Sequence, residues 1–507
     1  MKIVDAALFA VALVAPALLP TATVSAQASC ERMSSISVLN ATVTLATSVP
    51  AGNVSLSVGG RDQVFSDLPA FCRVAATLKP TTDSDIGIEV WLPASDWNGK
   101  FLVQYGDSLN YRGMARALGL GYATSSTDAG RTAAIGSALF GHPEKVADFA
   151  YRGVHEMTVK AKALIQAFYG RAPRFSYWNG CSIAGGQGLM SAHRFPEDYD
   201  GIIAGAPGSP LSHGWSASKF WVAGAILKDP ASAIPPGKIP IIHEAVLRAC
   251  DASDGLTDGL IGDPRRCNFN PDVLLCKGTD TQSCLTGAQV ETVRKLLSPV
   301  SNPRTRTLIY PTLELGSEPS WAGFAAGLRE PSGPPLDAFR YVFLNDPNWN
   351  WRTLDFDRDV IRADEVIKAQ KTNTLEPDIR AFARRGGKLL LYQGWSDSTN
   401  APQSTINYYD NVHNLLGDTA TSASVRLFMA PGMGHCLGAG EGPNSFDDLG
   451  VLEQWVETGK APEQIVASHS IDGKVDRRRP LCPYPQVARY RGTGSIDDAS
   501  NFECKMP

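Results

Sequence analysis

The sequence lacks several features that would place it in a familiar class of protein. No two cysteines are spaced as Cys-x-x-Cys, which argues against a zinc ribbon and against a thioredoxin-like redox site. Beyond the N-terminal region, no segment reaches the roughly 18 uninterrupted apolar residues that a membrane-spanning helix requires. The formal charge is −4, and the only basic cluster, 477–479, is short. We therefore expect no nucleic-acid partner and no membrane insertion.

What the sequence does contain is typical of a large, loop-rich globular protein. Hydrophobic residues make up 43% of the 507 residues and charged residues 19%, with 47 glycines and 34 prolines. This length allows one large domain with an insertion, or two or three ordinary domains.

The N-terminus has the pattern of a secretory signal peptide. Lys2 is followed by the apolar run "ALFAVALVAPALLP" and then by Ala26-Gln27-Ala28, which fits the small-x-small pattern of a cleavage site. We interpret 1–28 as a signal peptide and expect a secreted or periplasmic protein. Cys30 lies just past the predicted cleavage site, but the residues before it lack the leucine that lipoprotein sites prefer.

Ten cysteines form an even set, so five disulfides are expected in an exported chain. Their spacing suggests four local pairs, and by elimination the two remaining cysteines pair with each other. The suggested pairs are Cys250 with Cys267, Cys276 with Cys284, Cys482 with Cys504, Cys30 with Cys72, and Cys181 with Cys436.

Short apolar runs with strand composition alternate with helical patterns along most of the chain. The runs are "IGIEVWLP", "KFLVQYG", "YATSSTD", "GIIAGAP", "KLLLYQGWSD" and "VRLFMAPG". This alternation favours an α/β fold with a parallel sheet. In such folds the active-site residues lie at the carboxyl ends of the strands. The alternation stops between about 208 and 381, where Pro, Trp, Gly and four cysteines are concentrated. We interpret 29–207 and 381–507 as two parts of one catalytic core, and 208–380 as an inserted lid domain.

The stretch "GCSIA", 180–184, approximates the G-x-S-x-G turn that presents a nucleophilic serine between a strand and a helix. Because its last residue is Ala184, the pattern alone is more typical of a structural turn than of a nucleophile. The context favours a nucleophile at Ser182, since this fold places an acid and then a histidine after later strands. Asp397 and His435 stand in those two places. A bond from Cys181 to Cys436 would link the turn to the histidine loop, the alternative being two unconnected buried thiols.

These motifs resemble the tannase and feruloyl esterase family, which includes hydrolases of mono(2-hydroxyethyl) terephthalate. The resemblance rests on "GCSIAGGQGLMSAHRFPEDYDGIIAGAP", "LYQGWSDSTNAPQSTINYY" and "APGMGHCLGAG", which occur in the family's order of Cys-Ser, Asp and His-Cys. It implies an α/β-hydrolase fold with a large inserted lid, and the same five disulfides. It further implies Ser182 as the nucleophile, His435 as the general base and acid, and Asp397 as the residue that orients the histidine.

The resemblance also implies an acyl-enzyme mechanism with an oxyanion hole. The backbone N–H of Ile183 is one expected donor. The second is expected from the loop after "KFLVQY", where this chain has Gly106 and Asp107 instead of the family's glycine-rich run. Ala184 and Gly186 stand where the family has a glycine and commonly an arginine. These departures leave the substrate preference open.

The stretch "CDASDGLTDGLIGD" brings three aspartates close together in a glycine-containing loop. From spacing alone it is an acidic turn as readily as a metal site, and it lacks the pattern of an EF-hand. The family resemblance implies a structural Ca²⁺ in the lid, with the carboxylates of Asp251, Asp254 and Asp258 and the carbonyls of Leu256 and Leu260 as ligands. No organic cofactor is expected.

We expect a serine carboxylic-ester hydrolase that acts on a small aromatic ester of feruloyl or galloyl type. The alternatives are a hydrolase of terephthalate- or phthalate-type monoesters and a catalytically silent binder of phenolic compounds. Lid tryptophans could cover an aromatic acyl group, although each is individually more typical of a core: Trp215, Trp221, Trp321, Trp349 and Trp351. For a free carboxylate, a lid arginine such as Arg329 or Arg340 cannot be singled out. The oligomeric state does not follow from the sequence.

Overall fold

A computed structural model describes residues 28–58, 61–105, 109–130, 135–208, 212–214, 218–323 and 330–507. Residues 1–27 of the predicted signal peptide lie outside this range, as do Gly106, Asp107, Trp215 and Arg329. No helix in the described part of the chain has both the length and the apolar character needed to cross a bilayer.

Seventeen strands and thirteen α-helices lie within the described residues. The strands are β1 Ala41–Val49, β2 Gly52–Val58, β3 Arg61–Leu68, β4 Phe71–Leu78, β5 Ile86–Pro93, β6 Lys100–Tyr105, β7 Ala123–Thr127, β8 Phe175–Cys181, β9 Gly201–Gly205, β10 Val300–Ser301, β11 Leu308–Tyr310, β12 Lys388–Gly394, β13 Val425–Ala430, β14 Ile465–Ile471, β15 Lys474–Leu481, β16 Val487–Tyr490 and β17 Phe502–Lys505. The helices are α1 Tyr111–Gly119, α2 Ile135–Leu139, α3 Pro143–Ala147, α4 Gly153–Tyr169, α5 Ile183–Arg194, α6 Ser218–Lys228, α7 Ile239–Cys250, α8 Gly287–Leu296, α9 Pro334–Asp337, α10 Ile361–Gln370, α11 Arg380–Arg384, α12 Pro402–Ser424 and α13 Asp448–Thr458.

Nine of these strands form one central sheet in the order β1-β4-β5-β7-β6-β8-β9-β12-β13. From β7 to β13 all neighbours are parallel, as predicted. The prediction of a parallel sheet is wrong for the other end, where β1, β4, β5 and β7 pair antiparallel. The connection from β4 to β5 is too short for a crossover helix, and so the two strands must run in opposite directions. The mixed sheet with helices on both faces is that of an α/β-hydrolase fold.

Helices cover both faces of the parallel part of the sheet, which explains its continuous apolar runs. In β12, Leu389 and Leu391 belong to the apolar cluster that contains residues of α4, α5 and α12, and Leu390 and Tyr392 belong to the cluster that contains residues of α13. All four side chains are 2% exposed or less. Full burial of one such side chain stabilises the fold by about 1.5–3 kcal/mol. The same packing fixes the carboxyl ends of the strands, where the candidate site lies.

The segment between β9 and β12 interrupts the sheet and has apolar clusters of its own. Trp321 belongs to a cluster with α7 and α8, and Trp349 and Trp351 belong to a second cluster around Phe220. These three tryptophans are therefore core residues. Trp221 is half-buried, with its ring 5.6 Å from that of Phe356. The position of this segment agrees with an inserted lid, while the boundaries at 208 and 380 stay a prediction.

The structure contains five disulfides, and they join the five pairs suggested by the sequence: Cys30–Cys72, Cys181–Cys436, Cys250–Cys267, Cys276–Cys284 and Cys482–Cys504. Two of them lie in the lid segment. One joins the residue after β15 to β17, and one ties the segment before β1 to β4. Only Cys181–Cys436 connects two loops at the carboxyl edge of the sheet.

We predict that Gly394→Ala destabilises the protein. A Cβ on Gly394, the last residue of β12, would lie 2.2 Å from the carbonyl oxygen of Met433 and 2.5 Å from that of Gly434. Because these contacts are backbone atoms that cannot rotate away, we expect the free energy of unfolding to fall by about 1–3 kcal/mol in urea titrations. Gly119→Ala is the matched control, since nothing lies within 4 Å of its added Cβ. Equal stability of the two variants would contradict the prediction.

Candidate active site

Ser182 occupies the sharp turn between β8 and α5. Its backbone has φ 61° and ψ −123°, a left-handed conformation that costs free energy for any residue except glycine. Hydrogen bonds hold the turn in place: the Ser182 N–H donates to the carbonyl of Gly205 at 2.9 Å. The Ser182 carbonyl accepts from the N–H groups of Gly208 at 2.8 Å and Gly186 at 3.0 Å. The strain is thus maintained by the end of β9 and the first turn of α5, as in a nucleophile elbow.

The small residues around Ser182 are required by close backbone approach. A Cβ on Gly180 would lie 2.7 Å from the Ala184 carbonyl oxygen, and a Cβ on Gly185 would lie 2.6 Å from that of Gly205. Ala184 is fully buried, and its carbonyl accepts a hydrogen bond from the indole N–H of Trp178 at 3.0 Å. The departure from G-x-S-x-G at Ala184 is therefore accommodated without opening the turn.

Asp397 and His435 form a hydrogen-bonded pair. The Nδ1–H of His435 donates to Oδ2 of Asp397 at 2.8 Å, and the Asp397 side chain is fully buried. The same Oδ2 accepts from the side chain of Gln393 at 2.9 Å, and Oδ1 accepts the backbone N–H groups of Thr399 and Asn400 at 2.7 and 3.0 Å. Four hydrogen bonds fix the carboxylate, and through it the histidine. This leaves Nε2 of His435 as the atom available to move a proton.

The disulfide Cys181–Cys436 brings the elbow and the histidine loop together across a sequence separation of 255 residues. The two Cα atoms lie 6.0 Å apart. Ser182 and His435 are the immediate neighbours of the bonded cysteines, and consecutive Cα atoms are about 3.8 Å apart, so their own Cα atoms lie within about 14 Å of each other. The structure thus places all three residues of the predicted triad at one edge of the sheet.

Ile183 is the first residue of α5. The first N–H groups of a helix have no acceptor within the helix, and the helix dipole adds partial positive charge at that end. The backbone N–H of Ile183 is therefore suited to stabilise a developing oxyanion beside Ser182. The other expected donors, Gly106 and Asp107, lie outside the described residues.

A cavity of about 340 Å³ adjoins His435 on the side of the lid. Apolar side chains from the lid form part of its wall, and the serines on either side of Asp397 form another part. His243 also lines the cavity, and its place in the sequence is typical of a surface or core histidine.

His243 lies between two carboxylates that are remote from it in the sequence. Its Nδ1–H donates to Oε2 of Glu318 at 2.8 Å, and its Nε2–H lies 3.2 Å from Oε2 of Glu441. Burial opposes the charge on the ring, but the hydrogen bonds and charges of Glu318 and Glu441 outweigh it and raise the pKa of His243 to about 9. The ring is therefore cationic at neutral pH. No local motif marks it, because both partners approach only in the folded chain.

The acidic loop that follows α7 is held by its own backbone. Asp251 accepts from the N–H groups of Asp258 and Gly259, Asp254 from that of Leu256, and Asp258 from that of Leu260, all at 3.0–3.1 Å. Arg479 also donates to the Asp258 carboxylate. Burial, and then the charges of Asp258 and Asp251, raise the pKa of Asp254, although its hydrogen bond from Leu256 opposes this. Carboxylate oxygens are the ligand type that a hard cation such as Ca²⁺ prefers, and Asp251, Asp254 and Asp258 supply them within one short loop.

Comparison with known proteins identifies relatives over nearly the whole chain. A family model described as tannase and feruloyl esterase matches residues 72–505. An uncharacterized esterase from Xanthomonas campestris pv. campestris is 38% identical, with 96% of this chain and 92% of that protein covered. A probable feruloyl esterase B-1 from Aspergillus oryzae is 33% identical, with 95% of this chain and 93% of that protein covered.

Comparison with solved structures also identifies relatives that cover nearly the whole chain. The crystal structure of feruloyl esterase B from Aspergillus oryzae has a TM-score of 0.85 at 32% identity, covering 94% of this chain and 99% of that one. Tannin acyl hydrolase from Aspergillus niger, at 20% identity, has a TM-score of 0.73 and covers 93% of this chain and 92% of its own. This second likeness concerns the fold alone.

We predict that removing the Cys181–Cys436 bond impairs turnover more than it impairs folding. In a Cys181→Ala/Cys436→Ala variant, the two loops are no longer cross-linked, and a misplacement of about 1 Å between reacting groups can cost on the order of 100-fold in rate. We expect kcat for p-nitrophenyl acetate to fall at least about tenfold, with the far-UV circular dichroism spectrum retained. The matched control is Cys276→Ala/Cys284→Ala, which removes a lid disulfide and should change kcat less than twofold. Similar kcat values for the two double variants would contradict the prediction.

Proposed function

Because the chain belongs to the tannase and feruloyl esterase family, it is a carboxylic ester hydrolase, and we propose that it cleaves esters of aromatic acids through an acyl-enzyme on Ser182. The observation that carries this proposal is the hydrogen bond from His435 to the buried Asp397, which a disulfide fastens beside the strained turn of Ser182.

In the first step, Nε2 of His435 takes the proton of the Ser182 hydroxyl while Oγ attacks the ester carbonyl carbon. A bond forms between Oγ and this carbon, and the carbonyl oxygen becomes an oxyanion. The N–H of Ile183 stabilises that charge. Asp397, whose carboxylate is held by four hydrogen bonds, keeps the ring oriented and stabilises the imidazolium.

In the second step, the bond from the carbonyl carbon to the alcohol oxygen breaks, and His435 gives its proton to that oxygen. The acid remains bound to Ser182 as an ester. Water then reacts with the acyl-enzyme in the same two steps. His435 takes a proton from the water as its oxygen attacks the acyl carbon, and the bond from that carbon to Oγ of Ser182 then breaks while His435 returns the proton to Oγ. The free acid and the unchanged enzyme result.

We propose phenolic acids of the feruloyl type as the acyl group. The support comes from relatives named feruloyl esterase B that align with more than nine-tenths of this chain. A terephthalate-type monoester would instead need a cation for its free carboxylate. The Arg340 guanidinium donates through Nε to the carbonyl of Trp349 at 2.9 Å. This contact gives no reason to assign Arg340 the role of binding a substrate carboxylate.

We further propose that the enzyme is exported and that its lid holds a structural Ca²⁺. Five disulfides support export, because such bonds persist in oxidising compartments. The carboxylates of Asp251, Asp254 and Asp258 would hold the ion, together with the carbonyls of Leu256 and Leu260. The ion would relieve the repulsion among the carboxylates and take no part in the ester chemistry.

We predict that Ser182→Ala loses kcat/KM for methyl ferulate by about 10⁴-fold or more, because the covalent path no longer exists. His435→Ala should lose a similar factor, and Asp397→Asn roughly as much, because the wrong tautomer of His435 is then stabilised. The measurement is the rate of acid release by wild type and variants from methyl ferulate, methyl gallate and a terephthalate monoester. Ser57→Ala, on an exposed position of β2, serves as the control and should match wild type.

The substrate from which the acid is released most rapidly identifies the class of acyl group. Preference for methyl ferulate or methyl gallate supports a phenolic acid, whereas preference for the terephthalate monoester contradicts it. A folded Ser182→Ala variant that retains wild-type kcat/KM would exclude the acyl-enzyme.

We predict that Ca²⁺ raises the midpoint of thermal unfolding of the chelator-treated enzyme. A ligand that binds only the folded state adds about 2.7 kcal/mol at 100 times its Kd. Asp254→Asn should remove most of this response, while Asp418→Asn, on the exposed surface of α12, should retain it. The measurement is differential scanning fluorimetry with CaCl₂ or MgCl₂ after chelation. An unfolding midpoint that does not respond to CaCl₂ in the wild type would exclude the site.

A further inference from the structure

We propose that Asn400 is a positioning residue for the hydrolysis, because it joins the turn of Asp397 to the segment that holds Ser182. Its backbone binds the carboxylate of Asp397, and its side chain binds the chain directly after β9. It acts through Asp397 and His435 and not by contact with the ester. The inference rests on the proposed function and adds a residue to the machinery that supports it.

Both polar groups of Asn400 that donate hydrogen bonds have partners at the site. Its backbone N–H donates to Oδ1 of Asp397 at 3.0 Å, while Oδ2 of the same carboxylate binds His435. Its side-chain Nδ2–H donates to the carbonyl of Ala206 at 2.8 Å. Asn400 is only 5% exposed, so solvent competes little for either bond. One residue thus holds the acid and a second segment of the chain at the same time.

Ala206, the residue that the Asn400 side chain binds, has a backbone conformation that needs support. Its φ is 37°, in the left-handed region that costs free energy for a residue with a side chain, and Ala206 is fully buried. Such a conformation persists only where the surrounding contacts hold it. The Ala206 N–H donates to the carbonyl of Tyr392 at 2.8 Å, and its carbonyl accepts from Asn400. Strand β12 and the turn after it therefore hold both polar groups of this residue.

The segment that contains Ala206 also holds the turn of Ser182. Gly205 accepts the Ser182 N–H at 2.9 Å, and Gly208 donates to the Ser182 carbonyl at 2.8 Å, so these contacts lie on either side of Ala206 in the sequence. A displacement of Ala206 would therefore be transmitted to the backbone of the nucleophile. Asn400 is in this way connected to Ser182 as well as to Asp397.

The residue after Asn400 is held by the lid segment. The Ala401 N–H donates to the hydroxyl of Tyr310 in β11 at 2.8 Å, and both residues are buried. The backbone of Asn400 is thus held on one side by Asp397 and on the other by Tyr310. Ordering of the Asn400 side chain towards Ala206 therefore costs little further conformational entropy.

The acid and the histidine are connected to the elbow by separate links. The disulfide Cys181–Cys436 reaches the elbow from the histidine loop. The turn of Asp397 reaches it through Asn400 and Ala206. Loss of the asparagine amide would therefore displace the acid while the disulfide still holds the histidine loop. The hydrogen bond from His435 to Asp397 is the contact that would have to adjust.

The test compares two esters of one acid, methyl ferulate and p-nitrophenyl ferulate, on wild type and on Asn400→Leu. Leucine keeps the branched shape of asparagine but donates no hydrogen bond. Methanol leaves only with a proton from His435, whereas p-nitrophenolate leaves without one, and general-acid catalysis contributes about 10²–10⁴-fold. We expect kcat/KM to fall about 100-fold for the methyl ester and about tenfold for the p-nitrophenyl ester, because the histidine is then misplaced for proton transfer.

Asn98→Leu is the matched control. The Nδ2–H of Asn98 also donates to a backbone carbonyl, that of Leu120 at 3.1 Å, but Asn98 precedes β6 and lies at the amino ends of the parallel strands. It should leave the ratio between the two esters at the wild-type value. Equal losses on both esters in Asn400→Leu would show that Asn400 only stabilises the fold, and would overturn the positioning role. Wild-type rates on both esters would overturn it as well.

Asn400→Ser covers the case in which Asn400→Leu does not fold. The serine hydroxyl is too short to reach the Ala206 carbonyl, yet serine adds no volume to the buried turn. We expect the same unequal loss on the two esters. Loss of the folded state in both variants, measured by far-UV circular dichroism, would assign Asn400 to stability alone and would overturn the positioning role.

Failure of the proposed function has a different signature in the same experiment. The wild-type chain would then release no ferulate from either ester, or Ser182→Ala would release it as fast as wild type, and either result contradicts both proposals. Release that depends on Ser182 but keeps its wild-type ratio between the two esters in Asn400→Leu contradicts the role of Asn400 alone.

Discussion

The covalent bond between Cys181 and Cys436 is the constraint on which the site depends. It joins the last residue of β8 to the loop after β13, and these two strands are not neighbours in the sheet. Hydrogen bonds alone would leave the histidine loop free to move relative to the elbow, because the hydrogen bond of His435 goes to Asp397, which lies in the loop after β12. The disulfide removes that freedom directly next to the serine and the histidine. The geometry of the proposed triad is thus supported by a bond between residues outside it.

The lid reaches the same loop from the other side. The side chain of Leu260 packs against Gly432, which has φ 69° and leaves no room for a Cβ beside that leucine. The carbonyl of Leu260 is a proposed Ca²⁺ ligand, and its side chain also lines the cavity beside His435. An ion bound in the acidic loop would therefore act on the cavity through the position of one residue. If the proposed Ca²⁺ is bound, its effect on the cavity beside His435 would need no contact with the ester.

Much of this arrangement could be predicted from the sequence. The strands β9, β12 and β13 were recognisable because strands buried on both faces are rich in apolar residues. The proposed triad was recognisable because each member lies within a few residues of a strand end. The antiparallel end of the sheet was not predictable in the same way. Strand β1 alternates between half-buried and exposed residues, so it lacks the apolar run that marks the others. His243 was missed because its environment is formed by Glu318 and Glu441, which only folding brings together.

The family resemblance leaves open why Gly186 stands where an arginine is common, and the packing of α5 supplies a physical reason. A Cβ at Gly186 would lie 3.2 Å from the carbonyl oxygen of Gly208 and 3.2 Å from Cβ of Thr374. Thr374 comes from the lid segment and donates its hydroxyl to that same Gly208 carbonyl at 2.9 Å. A long side chain on Gly186 would have to separate these two segments. The glycine therefore lets the lid lie directly on the first turn of α5, next to the nucleophile. The elbow's departure from the family pattern is therefore a change in where the lid segment meets α5, and it leaves the hydrogen bonds of the Ser182 turn intact.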